Sequence, residues 1–241
     1  MGKRIRLDIL SIAAHRDDSE LTCGGTLIKM VEAGYKVGAL DLTAGESGTR
    51  GSAALREKEA AKATRVMGLA HRENLHLPDA AIENLREYKL KIAETVRRLR
   101  PKTVILPYWE GRHPDHYNTG QIGYEACFLA GLRKLSLPGK AYRPHKIIYA
   151  TLYVPSLLPT FVVDITRQFR KKCKAILCYR SQFSDEKDTQ NLFPSRRGLE
   201  DRLSSLGHHF GLMAGVRYAE PFLTREIARV DDIVDMPVAS I

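Results

Sequence analysis

Apolar and polar positions alternate in blocks along the first 130 residues. Residues 7–12 (Leu-Asp-Ile-Leu-Ser-Ile) form a near-continuous apolar run, the pattern of a strand covered on both faces. From 20 to 33 the spacing becomes helical, with Leu21, Leu27, Met30 and Val31 on one side and Gly34 as a stop. Residues 37–42 read as a second strand, completing a βαβ unit. A Gly-rich loop over 44–51 leads to Ser52, a predicted N-cap for a helix over 53–67 that Gly68 ends. A short strand over 74–77 and a loop over 78–83 follow, and Asn84 with Glu87 resembles a capping box for a helix running to 100.

Pro101 forbids further helix, and the β-branched run 103–106 predicts a fourth strand. A loop over 108–115 then precedes a helix over 116–132. Further on, strands are predicted over 146–154 and 161–165, a helix over 166–181 capped by Thr166, a polar loop over 182–198 and a helix over 199–213. Strand–helix alternation implies an α/β, Rossmann-like and mostly parallel sheet flanked by helices, with the order 3-2-1-4-5. In that order strands one and four are neighbours at the topological switch point, where a crevice opens outside the carboxyl ends of the strands.

Composition narrows the class. With 44% hydrophobic and 27% charged residues, the 241-residue chain can build a sizeable core, and a single domain over 1–241 is expected. No apolar run approaches the roughly 20 residues of a membrane span. The basic N-terminus lacks the apolar stretch of a signal peptide, so a cytoplasmic protein is expected. Cys23, Cys127, Cys173 and Cys178 form no CxxC pair and read as reduced thiols. The 38 Lys and Arg against 28 Asp and Glu raise the question of an anionic partner. The basic residues are spread along helices without aromatic interleaving, as in Arg97, Arg98 and Arg100, which argues against nucleic acid. A small anionic substrate drawn into a basic cleft fits better, with Arg50, Arg56 and Arg112 as candidates.

The candidate chemistry lies in two clusters about a hundred residues apart, each after a predicted strand: His15-Arg16-Asp17-Asp18-Ser19-Glu20 and His113-Pro114-Asp115-His116. A catalytic divalent ion with an open position takes imidazole and carboxylate ligands, and a spare carboxylate can accept the proton of its water, whose pKa falls from about 15.7 toward roughly 7. His15, Asp18 and one mid-chain histidine make a two-His, one-carboxylate set, with Asp17 left as the base; the residues alone leave open which of His113 and His116 is the ligand. The bland alternatives are helix N-terminal carboxylates at Asp17 and Asp18 and a surface loop at 113–116. Gly24-Gly25 lacks a dinucleotide fingerprint, and His208-His209 lack carboxylate company.

Ala14-His15-x-Asp17-Asp18-x-Glu20 followed by His113-Pro114-Asp115-His116 resembles the zinc-dependent N-acetylglucosamine deacetylases of the LmbE/PIG-L family. Segments 41–46, 48–51, 74–79, 126–134, 161–165, 181–183 and 218–222 look like its bacillithiol-biosynthesis branch. The resemblance implies zinc, or another divalent ion such as Fe(II), on His15, Asp18 and His116, with Asp17 as general base. It further implies His113 as the acid or oxyanion partner oriented by Asp115, and substrate contacts from Arg56 and Arg112, with Arg50 a weaker candidate. The implied substrate is N-acetylglucosaminyl-malate, whose two carboxylates suit guanidinium forks. Other N-acetylglucosaminides, such as an inositol conjugate or a chitooligosaccharide, are the alternatives. A homo-oligomer, a hexamer among the possibilities, is also implied. Arg16 departs from the family pattern, which has Pro or a small residue there. It either points to solvent or acts on Asp17 through its charge. The rival readings from other classes are a basic nucleic-acid-binding protein and a non-catalytic module that has kept its metal.

Overall fold

The computed structural model describes residues 5–183, 196–234, 236 and 238. Among these, one seven-stranded sheet runs through the molecule: β1 (Ile9–Ala13), β2 (Val37–Thr43), β3 (His71–Leu77), β4 (Thr103–Pro107), β5 (Lys146–Ala150), β6 (Phe161–Asp164) and β7 (Ala219–Leu223), in the order β3-β2-β1-β4-β5-β7-β6. The five strands β3 to β5 are parallel, in the order expected, and β1 pairs with β4 from Ile9↔Thr103 to Ser11↔Ile105. The helices are α1 (Asp18–Glu32), α2 (Ala53–Met67), α3 (Arg86–Leu99), α4 (Pro114–Ala130), α5 (Phe169–Ile176) and α6 (Arg196–Leu212).

Because side chains alternate across a strand, the two faces of β1 feed two cores. Leu10 and Ile12 join Ile92 and Val96 of α3 and Ile122 and Ala126 of α4, whereas Ile9 packs with Leu27 and Ile28 of α1, Met67 of α2 and Ala175 of α5. The doubly covered strands explain the near-continuous apolar runs at β1 and β4.

Several elements differ from the sequence reading. β7 was not expected: Glu220 and Pro221 break its apolar pattern. It nonetheless lies inside the sheet, antiparallel to β5 and β6, with Pro221 opposite Val162. β3 starts at His71 rather than 74, because its polar residues sit on the sheet edge. Arg72 there reaches inward to Asp41 and Glu20. The capping box at Asn84 does not form; Leu85 is the N-cap and Asn84 donates to Glu125 instead. Ser52 does cap α2, accepting from the Leu55 amide, and Gly68 closes it in the left-handed region. α1 and α4 begin at Asp18 and Pro114, each two residues before expectation, which puts cluster residues in their first turns. β5 ends at Ala150, short of 154, and α5 is shorter than 166–181. α6 begins at Arg196, inside the expected loop 182–198, of which residues 184–195 lie outside the described residues.

α1 kinks at Cys23, whose φ of −141° leaves the helical region and frees amides beyond it. Glu220 of β7 accepts those of Gly25 at 2.9 Å and Thr26 at 2.7 Å and pairs with buried Lys172 of α5 at 2.6 Å. A Cβ at Gly25 would stand 2.7 Å from Ile165, so a side chain is excluded there. This buried pair ties the late strand to the helix that carries Asp18. All four cysteines are free, as expected, and no helix among the described residues is long and apolar enough to cross a membrane.

Candidate active site

The carboxyl ends of the parallel strands converge on one place. β1 delivers His15, Asp17 and the first turn of α1, β4 delivers the 113–116 segment at the start of α4, and the segment after β3 delivers Asp79. The turn after β5 delivers Tyr153. The two clusters therefore do meet. His15 Nδ1 stands 3.1 Å from Asp18 Oδ2, His116 Nε2 stands 3.2 Å from Asp18 Oδ1, and the two ring nitrogens face each other at 3.3 Å.

One ligand atom from each of His15, Asp18 and His116 falls within a span of 4.8 Å, and so does a second, overlapping set of His15, His113 and Asp115. The first set fits a divalent ion. Two imidazoles and one carboxylate, each offering a ligand atom to the same point, are the donor set of a catalytic divalent ion that keeps a position open. Asp18 is buried; burial opposes its charge, but His116 and His15 hold its carboxyl well below the usual range. His15 is held from its far side as well: Nε2 stands 3.2 Å from Asp79 Oδ1 and 3.4 Å from Asp115 Oδ2. Burial opposes a charge on His15, yet Asp18, Asp115 and Asp79 together push its pKa up to about 12.

Asp17 is the N-cap residue of α1 but makes no capping bond with its side chain. Its carboxylate receives Arg56 instead, Nη2 to Oδ1 at 3.0 Å, while Arg56 Nη1 donates to Gly45 O at 3.1 Å. Arg56 is only 5% exposed, so its first task in the structure is to hold Asp17. Gly45, with φ +73°, makes the seat: a Cβ there would lie 2.0 Å from Arg56 Nη1. The bland reading of Asp17 and Asp18 as dipole-favoured carboxylates accounts for neither set of partners.

His113 Nδ1 accepts the backbone N–H of Asp115 at 3.2 Å, so the neutral ring carries its proton on Nε2. Burial, then the neighbouring His116 and His15, lower its pKa and keep it neutral near pH 7. Asp115 thus contacts this ring through its backbone N–H, and its carboxylate is engaged elsewhere. That carboxylate accepts the amides of Ala80 and Ile82 and reaches His15. Arg112 is exposed on the loop beside His113. Arg50 is partly buried in the loop after β2, where its carbonyl accepts Gln182 Nε2.

Two residues escaped the sequence reading. Asp79 follows Pro78 just past a third parallel strand, the same strand-end position as both clusters, and that was its signal. Tyr153 had none. Its hydroxyl donates to Asp18 Oδ1 at 3.0 Å and its ring stacks on His116 at 4.8 Å. Tyr153 is 42% exposed overall, but desolvation around its hydroxyl and then the Asp18 and Asp17 charges raise its pKa well above the usual range, so it remains a donor. Arg16 does not point to solvent: it is 6% exposed, its carbonyl bonded by Arg72 and by Tyr179.

Residues 10–127 match the family described as PIG-L, GlcNAc-PI de-N-acetylase. The diacetylchitobiose deacetylase of Thermococcus kodakarensis is 30% identical over 225 residues, covering 88% of this chain and 80% of that protein. A probable N-acetyl-α-D-glucosaminyl L-malate deacetylase of Bacillus anthracis is 27% identical over 191 residues, covering 73% and 81%. Among solved structures, the conserved protein TT1542 from Thermus thermophilus superposes with a TM-score of 0.84 at 39% identity, covering 93% of this chain and 98% of that one. Fold, paired clusters and relatives agree, and the chain belongs to the PIG-L family of N-acetylglucosamine-type deacetylases.

Proposed function

We propose that this protein hydrolyses the N-acetyl group of an N-acetylglucosaminyl conjugate at the β1/β4 crevice, with a divalent ion held by His15, Asp18 and His116. The observation that carries the reading is the convergence of those three ligands beside a carboxylate, Asp17, that is not one of them. When bound, the ion supplies Lewis-acid polarisation and lowers the pKa of a water toward about 7; zinc suits the donor set, and Fe(II) is the alternative.

Asp17 accepts the proton of the attacking water, with Arg56 fixing one carboxylate oxygen so that the other faces the reaction. His113, neutral and protonated on Nε2, donates toward the carbonyl oxygen or the departing amine. Asp79 and Asp115 fix the His15 ring. Tyr153 shares the Asp18 oxygen and covers the outer face of His116.

For the aglycone, the reading favours a carboxylate-bearing group such as malate, with Arg112 and Arg50 as its contacts and Arg56 beside the sugar. Arg50 in the loop after β2, Arg112 in the loop after β4 and the Bacillus anthracis relative support it. Diacetylchitobiose is the second reading, favoured by the higher identity to the Thermococcus kodakarensis enzyme. Acetate release from N-acetylglucosaminyl-malate, the inositol analogue, diacetylchitobiose and free N-acetylglucosamine, compared at equal concentration, separates them. A cytoplasmic homo-oligomer, a hexamer, belongs to the same reading, and sedimentation of the purified protein tests its oligomeric part.

A further inference from the structure

Arg16 is the residue of the first cluster that the deacetylase chemistry leaves unused. Its main chain is pinned: the carbonyl accepts both Arg72 and Tyr179 Oη. The residue lines a groove of about 560 Å³ between α2 and the sheet-edge strand β3, where Thr64, Arg65, His71 and Asn74 are among the other walls. The residue is 6% exposed, and its Nε is buried with no hydrogen-bond partner among the described residues. Thr64 Oγ1, on the α2 wall of the same groove, is likewise buried and unpartnered.

Buried donors normally find acceptors, because an unmade bond to a charged group costs more than a neutral one. The acidic residues nearby are already engaged. Asp41 and Glu20 take Arg72, with Asp41 also feeling the Arg16 charge at longer range, and Glu73 takes Arg98 and stands 3.2 Å from His71. Glu57, on the α2 wall, is exposed. A guanidinium Nε and a hydroxyl that both lack acceptors, with the Arg65 side chain on the same groove, match a small oxyanion, which brings several acceptor oxygens and negative charge together.

We propose that the α2–β3 groove is an oxyanion-binding site, taking a phosphate or carboxylate group on Arg16 and Thr64. The site is separate from the metal ligands, and the proposal does not depend on the deacetylase reading. The anion has two sources, a free phosphate-type ion or the acidic end of a long substrate.

The test uses selenate, whose anomalous scattering locates it in crystals of the full-length metal-loaded protein, together with selenate titration at constant ionic strength. The expected result is an anomalous peak against the Arg16 guanidinium and saturable binding. Arg16→Met should abolish the peak and weaken binding by roughly tenfold or more, and Thr64→Val by a smaller factor. Metal content reports whether Arg16→Met has kept the neighbouring ligands; if that variant does not fold, the wild-type peak and the Thr64→Val titration decide. Displacement of the peak by glucosaminyl-malate assigns the anion to the substrate, and persistence assigns it to a free ion. No peak at Arg16 in the wild type, or an unchanged peak in Arg16→Met, overturns the proposal.

Discussion

Arg56 donates to Asp17 across 3.0 Å from a helix 39 positions further along the chain, and both side chains are nearly enclosed. In the proposed mechanism this pairing decides which of the two adjacent aspartates is left to act as base. Asp18 is taken by two imidazoles, whereas Asp17 is held on one oxygen only by a guanidinium that is itself anchored on Gly45. Arg56→Met should lower kcat by about a hundredfold, since misplacing a catalytic group by an ångström costs that much, with metal content kept. Arg56→Lys should not restore it, because one ammonium cannot span Asp17 and Gly45 O as the fork does. An effect confined to KM would instead make Arg56 a substrate contact.

Metal uptake should depend on pH. Without metal, burial works against a proton on His15, but Asp18, Asp115 and Asp79 outweigh it and hold the pKa near 12, so the ring is charged at neutral pH. An ion must displace that proton, so apparent affinity should rise about tenfold per pH unit between roughly pH 6 and 8, with proton release visible when calorimetry is repeated in buffers of different ionisation enthalpy. Affinity independent of pH would contradict this arrangement. His15→Ala should lose stoichiometric metal.

The sheet order was legible because β1, β2 and β4 are near-continuous apolar runs, and the strand ends then put both clusters in one crevice. The residues already set Asp17 apart from Asp18, but the choice between His113 and His116 was not legible from spacing. It depends on partners such as Tyr153, which comes from a distant element, and it entered only through the family resemblance. β7 was missed for a related reason. Glu220 breaks its pattern locally, yet that carboxylate is buried to satisfy amides freed by the α1 kink and to pair with Lys172.

That pair supplies a stability prediction. Lys172→Met leaves Glu220 buried without its cation and should cost about 3 kcal/mol or more, read as a lowered urea midpoint at unchanged slope. Gly25→Ala, with its Cβ against Ile165, should cost about 1–3 kcal/mol by overpacking. A midpoint unchanged in either variant would remove the proposed role of this contact.

Acid sensitivity has a local source at Glu73. Partial burial favours its neutral form, but hydrogen bonds from His71 and Arg98 prevail and lower its pKa from 4.5 to about 2. A lowered carboxylate pKa adds stability that is present above the unfolded value of 4.5 and is lost as pH falls toward 2. The stability difference between wild type and Glu73→Gln should therefore be largest above pH 5 and shrink on acidification. A difference that stays constant from pH 6 to 3 would place the effect elsewhere.

The most direct test of the account is acetate release from N-acetylglucosaminides by the metal-loaded protein, wild type against Asp17→Asn, with bound metal quantified in both. The account predicts release by the wild type and a fall of about 10²- to 10⁴-fold in kcat for Asp17→Asn at unchanged metal content. Full activity of Asp17→Asn, or a metal-loaded wild type inert toward every N-acetylglucosaminide, would contradict it.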